Sequence, residues 1–138
     1  MPAIGAMQTA SLPDTYGPFL GTATVDEFVA GGSVERYFEE HWPEATVATV
    51  EGEIVGVVVL LGALVDLAWV DPAFRSRGIG SALMADAERQ ADGGELRLEV
   101  WTVNERAVAF YERVGFRAAD EFDDPATGLP KLVMRKSL

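Results

Sequence analysis

Apolar and polar positions alternate along this chain with two periods, and glycine and proline mark most of the breaks between them. Residues 1–20 hold Pro2, Pro13 and Pro18 with Gly5 and Gly17 and sustain neither period, which predicts a weakly tied arm with room for one short strand. Thr24-Val-Asp-Glu27 has the spacing of a helix capping box, and Gly31-Gly32 ends the short helix it would open. Ser33 can cap a second helix running through Val34, Tyr37 and Phe38 toward Trp42, stopped by Pro43. Tyr37, Phe38 and Trp42 stand at helical spacing and read as core. Residues 46–50 and 54–61 are rich in β-branched side chains and flank Glu51-Gly52-Glu53, a hairpin pattern; Gly62 turns into a third strand over 64–70. Asp71-Pro72 breaks that strand. A helix is expected from about 80 to 91, ended by Asp92-Gly93-Gly94, and then a strand over 96–101. Asn104 or Thr102 can cap a further helix striped by Ala107, Phe110, Tyr111 and Val114 and stopped by Gly115. Segments 116–122 and 132–134 close a last hairpin. The order α, α, β, β, β, α, β, α, β, β predicts a single α/β domain over 21–138 with a mixed sheet.

Composition narrows the chemistry. At 138 residues, 49% hydrophobic and 24% charged, the chain can bury a core, which excludes disorder. It has no cysteine, so a thiolate metal site, a redox dithiol and a cysteine nucleophile are all excluded. His41 is the single histidine; it reads as a helix-end residue, and a histidine-rich metal site is impossible. A formal charge of −11 disfavours nucleic acid, whose phosphates need a dense basic surface. The acidity is uneven. Residues 1–70 carry ten acidic side chains against Arg36 alone, whereas residues 71–138 carry twelve against ten basic ones. No apolar run reaches 18 residues, and the first twenty residues lack a basic start followed by an apolar stretch; a cytoplasmic protein without membrane or metal is the expectation.

The most informative segment is Val70-Asp-Pro-Ala-Phe-Arg75-Ser-Arg77-Gly78-Ile-Gly80-Ser81. A strand feeds a loop with two arginines and two glycines, and the loop opens a helix. Glycine allows close backbone approach, and the free amides of a helix start, aided by its dipole, hold anions. No Gly-Lys-Ser/Thr follows, so this is not a nucleotide-triphosphate loop, and Leu83 stands where a dinucleotide fingerprint has its third glycine. By itself the Gly-x-Gly also suits a tight turn with exposed arginines.

Here the chain resembles the GCN5-related N-acetyltransferases (GNAT). Arg75-Ser-Arg77-Gly78-Ile-Gly80 is similar to their Gln/Arg-x-x-Gly-x-Gly/Ala motif, and Leu98-Glu99-Val100, Asn104, Ala107, Tyr111 and Gly115-Phe116 are similar to a second family series at the right spacings. The resemblance implies a mixed, mostly antiparallel, twisted sheet of about six to seven strands flanked by about four helices. It implies acetyl-CoA as co-substrate and direct transfer of the acetyl group to a primary amine, with which the absence of cysteine agrees. The strand over 64–70 would splay from the strand over 96–101. By position, the backbone of Leu67, Ala68 and Val70 would bond pantetheine, Arg75, Arg77, Gly78, Ile79, Gly80 and Ser81 would hold the pyrophosphate, and Asn104 would reach the CoA arm.

Transfer to an amine needs a neutral nucleophile and a proton for the departing thiolate. A lysine amine with a reference pKa of about 10.4 is only ~0.1% neutral near pH 7.4, so a base matters. Glu99 and Asp66 are the candidates by family position, acting through a water. Glu99 falls on the face of Glu95, Arg97 and Trp101, where an exposed strand carboxylate is the alternative; Asp66 shares a face with Leu64, Ala68 and Val70, which argues against a purely solvated role. Tyr111 is the candidate acid, with a core tyrosine as the alternative. The family builds its acceptor site from the N-terminal helices, which here lie in the acidic half, so a cationic amine or peptide amine is expected. An acetyl-CoA-sensing module without turnover is the competing reading. A homodimer stays open.

Overall fold

The computed structural model describes residues 2–138, which form five α-helices and six strands. The strands β1 (Ala45–Val50), β2 (Glu53–Leu61), β3 (Leu64–Val70), β4 (Glu95–Trp101), β5 (Arg117–Asp123) and β6 (Pro130–Ser137) follow the order β1-β2-β3-β4-β6-β5. β1/β2, β4/β6 and β5/β6 are antiparallel; β3 and β4 run parallel and pair at Leu64↔Arg97. The sheet is thus mixed and mostly antiparallel, as expected. Among the described residues there is one helix more than expected, and it arises at the start of the chain. The helices are α1 (Pro2–Leu20), α2 (Thr22–Ala30), α3 (Ser33–His41), α4 (Ile79–Gln90) and α5 (Glu105–Arg113). Two compact units divide the chain: Met1–Val59 with Leu67–Leu83, and Leu60–Asp66 with Met84–Leu138.

In the first unit, residues 2–20 correct the expected arm and short strand: they form the 19-residue helix α1. Pro2 falls in the first turn, where a missing N–H costs nothing, but Pro13 and Pro18 each remove an interior donor. Packing supplies what propensity lacks, since Ile4, Met7 and Leu12 are buried and α1 packs against α2 and α3. Gly5 lies close to α3, where an added Cβ would stand 3.8 Å from Val34 Cγ1 and 3.9 Å from Phe38 Cδ2. The capping box does not form: α2 begins two residues before Thr24, behind Gly21. Ser33 likewise is the first residue of α3 and not its cap, because Gly32 at φ 74° makes the reversal; the Ser33 hydroxyl accepts from Arg36 Nη2 at 3.3 Å. Phe38 is buried as expected and Tyr37 is half-buried, whereas Trp42 is 54% exposed. It has the spacing of the core face but opens the 3-10 turn Trp42–Glu44, which has no buried residue.

Glu51 and Gly52 both take positive φ, 51° and 81°, which makes the two-residue turn of the β1–β2 hairpin. Val55, Gly56, Val57, Val58 and Val59 are all buried, the continuous apolar run of a strand covered on both faces. A Cβ on Gly56 would lie 3.0 Å from Leu83 Cδ1, 3.2 Å from Ile79 Cγ2 and 3.3 Å from the Trp69 carbonyl oxygen. The missing side chain is therefore what lets the start of α4 rest on the sheet.

In the second unit, Leu96, Leu98 and Val100 of β4 are buried while Arg97 and Glu99 are exposed, the alternation read from sequence. Met84, Ala87, Phe116 and Met134 complete this core. Lys136 of β6 bonds the Glu88 carboxylate of α4 and donates to the Val114 carbonyl at the end of α5 at 2.5 Å, a cation placed where the helix dipole favours one. Gly115 is fixed twice over: its φ is 106°, and a Cβ there would stand 3.0 Å from Lys136 Cε.

Candidate active site

The loop after β3 is built from short-range bonds. Asp71 N donates to the Val55 carbonyl at 2.8 Å, and Asp71 Oδ1 accepts from Ala73 N at 3.0 Å, capping the 3-10 turn Pro72–Phe74. Ser76 and Gly78 then take positive φ, 64° and 80°, and swing the chain into α4. The first bond of the helix runs from Ala82 N to the Gly78 carbonyl at 3.0 Å, so the amides of Gly78, Ile79, Gly80 and Ser81 precede it and have no acceptor within α4. A Cβ on Gly78 would meet nothing within 4 Å. Unscreened amides, open space beside Gly78 and an exposed Arg77 form a donor set that fits a diphosphate. The Arg77 guanidinium lies over the Phe74 ring, 5.1 Å from its centroid. Arg75 is half-buried, and its Nη2 donates to the Thr15 hydroxyl of α1 at 3.0 Å.

Leu67, Ala68 and Val70, the residues by which the resemblance would bind pantetheine, lie on β3 beyond its pairing at Leu64 and are half-buried; Trp69 between them is buried. They and the whole of 75–81 belong to the first unit. Asp66, Glu99, Asn104 and Tyr111 belong to the second.

Asp66 is exposed, and the buried residues of β3 are Val65 and Trp69 on its other face. Leu64, Ala68 and Val70, which share its face, are half-buried. Glu99 is exposed as well. The Tyr111 ring is half-buried, 5.5 Å from Phe110 and 5.8 Å from Phe116, so aromatic packing holds it. Asn104 caps α5, its Oδ1 accepting from Ala107 N at 3.4 Å, while the Thr102 hydroxyl donates to the Pro130 carbonyl at 3.2 Å. His41 stacks 4.8 Å from Tyr37 near the end of α3.

Sequence reasoning passed over Thr15 and Asp124. Thr15 lay in the stretch read as an arm. Asp124 organises the β5–β6 loop: its carboxylate accepts from Ala126 N at 3.1 Å and Thr127 Oγ1 at 2.9 Å. The Ala126 amide first, then the Thr127 hydroxyl, with Lys131 and Trp101 adding less, hold it below the ordinary aspartate value.

A model of the acetyltransferase (GNAT) domain matches residues 39–118, a stretch that holds both β3 and the loop into α4. The chain belongs to the GNAT family. This GNAT chain is 38% identical over 89 residues to blasticidin-S acetyltransferase of Streptomyces morookaense, covering 63% of its own length and 65% of that protein's. It is 34% identical over 104 residues to the peptidyl-lysine N-acetyltransferase YjaB of Salmonella typhimurium, covering 72% and 70%. The solution structure of apo-form YjaB from Escherichia coli superposes with a TM-score of 0.74 at 30% identity over 95% of this chain and 86% of that one. The chain spans slightly less than two thirds of the blasticidin-S enzyme's length. Helices α1 and α2 precede the stretch matched to the GNAT domain.

Proposed function

We propose that this GNAT chain is an acetyl-CoA-dependent N-acetyltransferase that acts on a cationic primary amine. The observation that carries the reading is the loop into α4: four amides without helical acceptors, an open side at Gly78 and the exposed Arg77 suit the diphosphate of CoA. Acetyl-CoA supplies the acetyl group as a thioester, whose carbon–sulfur bond breaks as the amine nitrogen takes the acetyl carbon. The backbone of Leu67, Ala68 and Val70 holds the pantetheine arm as an added strand would be held, and the Asn104 amide, whose Oδ1 is committed to the helix cap, offers its NH2 to the same arm. Glu99 or Asp66, both exposed, accepts the amine proton through water. The Tyr111 phenol returns a proton to the departing thiolate, and its ring contacts with Phe110 and Phe116 keep it oriented.

Two observations support a cationic acceptor. Asp26 and Glu27 of α2 and Glu35, Glu39 and Glu40 of α3 are all exposed in the half of the chain that has few basic residues. One relative is named for acting on peptidyl-lysine. Steady-state thiol release with acetyl-CoA across polyamines, lysine peptides, blasticidin S and acidic amino acids tests the reading. Cationic amines should give the higher kcat/KM; a preference for acidic amino acids would refute the acceptor class.

A further inference from the structure

We propose that Thr15, on a helix outside the matched family domain, is a positioning residue for the cofactor: its hydroxyl fixes the Arg75 guanidinium for the diphosphate. The inference rests on the reading of Arg75 as a pyrophosphate ligand. Thr15 Oγ1 accepts from Arg75 Nη2 at 3.0 Å, across 60 positions of sequence, and both residues are partly buried. A free arginine side chain loses much of its rotamer freedom when it grips a ligand. Holding one of five N–H donors in advance removes part of that loss and sets the plane of the fork.

Two features make Thr15 suited to this. Its oxygen is a neutral acceptor; a carboxylate in its place would orient the guanidinium equally well but would cancel the charge a diphosphate needs. The turn that carries it is anchored on the cofactor strand, because the next residue, Tyr16, packs edge-on against Trp69 with ring centroids 5.2 Å apart and against Phe19 at 5.5 Å. Trp69 stands between Ala68 and Val70, and all these groups belong to the first unit. Arg77, by contrast, is exposed and held over the Phe74 ring. The two arginines therefore differ: one is set by α1, the other by the loop itself.

Calorimetric binding of CoA and of S-acetylpantetheine, which lacks the diphosphate, tests this with Thr15→Val, Thr15→Ala, Thr15→Ser, Arg75→Ala and the Thr15→Val/Arg75→Ala pair, each with its melting temperature. Thr15→Val and Thr15→Ala should weaken CoA about tenfold with S-acetylpantetheine binding unchanged, Thr15→Ser should restore it, and Thr15→Val should add nothing once Arg75 is alanine. Loss of affinity for both ligands alike, or a Thr15 effect that persists without Arg75, would overturn the inference. So would wild-type CoA affinity in Thr15→Val beside weakened binding in Arg75→Ala. If Arg75→Ala itself binds CoA normally, the pyrophosphate reading of Arg75 falls, and the positioning role with it.

Discussion

Tyr111, the proposed acid, is also a packed side chain. Its ring is held by Phe110 and Phe116, contacts that phenylalanine would keep, so removing only the hydroxyl separates the two roles. Tyr111→Phe should lower kcat by roughly 100-fold or more with the acetyl-CoA KM within about twofold; a kcat at the wild-type level would remove Tyr111 from the acid's role. Asp124 gives a pH prediction. Its carboxyl is held low in the folded chain, chiefly by the Ala126 amide and then by Thr127, so its contribution to stability is present above the ordinary value of 3.8 and fades as pH falls through the lower folded value. Asp124→Asn should therefore melt below the wild type at neutral pH, and the difference should shrink below pH 4 in thermal scans. Other residue roles differ in how readily sequence shows them. Asn104 and Thr102 both read as caps before an apolar helical stripe, and Asn104 is the one that caps α5. Trp42 misleads, because spacing fixes a helix face without saying what covers it.

Among the elements, the helix α4 and the loop before it depend on a residue of a strand. Gly56 leaves the gap that Leu83 and Ile79 enter, and Ile79 is the residue at which α4 begins. Gly56→Val should cost about 1–3 kcal/mol in urea denaturation and weaken CoA binding, since the amides of Gly78 to Ser81 move with the helix start. Native stability together with native CoA affinity would contradict that coupling. The elements legible from sequence are those whose period and punctuation agree: the strand over 64–70 has its expected bounds, and α4 and β4 each begin one residue early. α1 was hidden because its prolines and glycines argue against a helix locally, and its buried Ile4, Met7 and Leu12 matter only once α2 and α3 are there to receive them. The same blindness hid Thr15, since a contact across 60 positions leaves no trace in local pattern.

For the whole chain, the loop motif and the family series lie inside the matched residues 39–118, where the cofactor chemistry could be read in advance. The helices proposed to receive the acceptor lie largely before that stretch, and charge is their main trace: ten acidic residues against one basic in residues 1–70. The central claim is transfer from acetyl-CoA to a cationic amine. Incubating the chain with acetyl-CoA and a lysine peptide, and following free thiol together with peptide mass, tests it most directly. One CoA thiol should be released for each acetyl group gained by the peptide, with both signals slowed together by the same factor in Tyr111→Phe. Binding of acetyl-CoA without acetylation of this peptide or of any amine in a broad cationic panel would contradict it and leave a sensing module in its place.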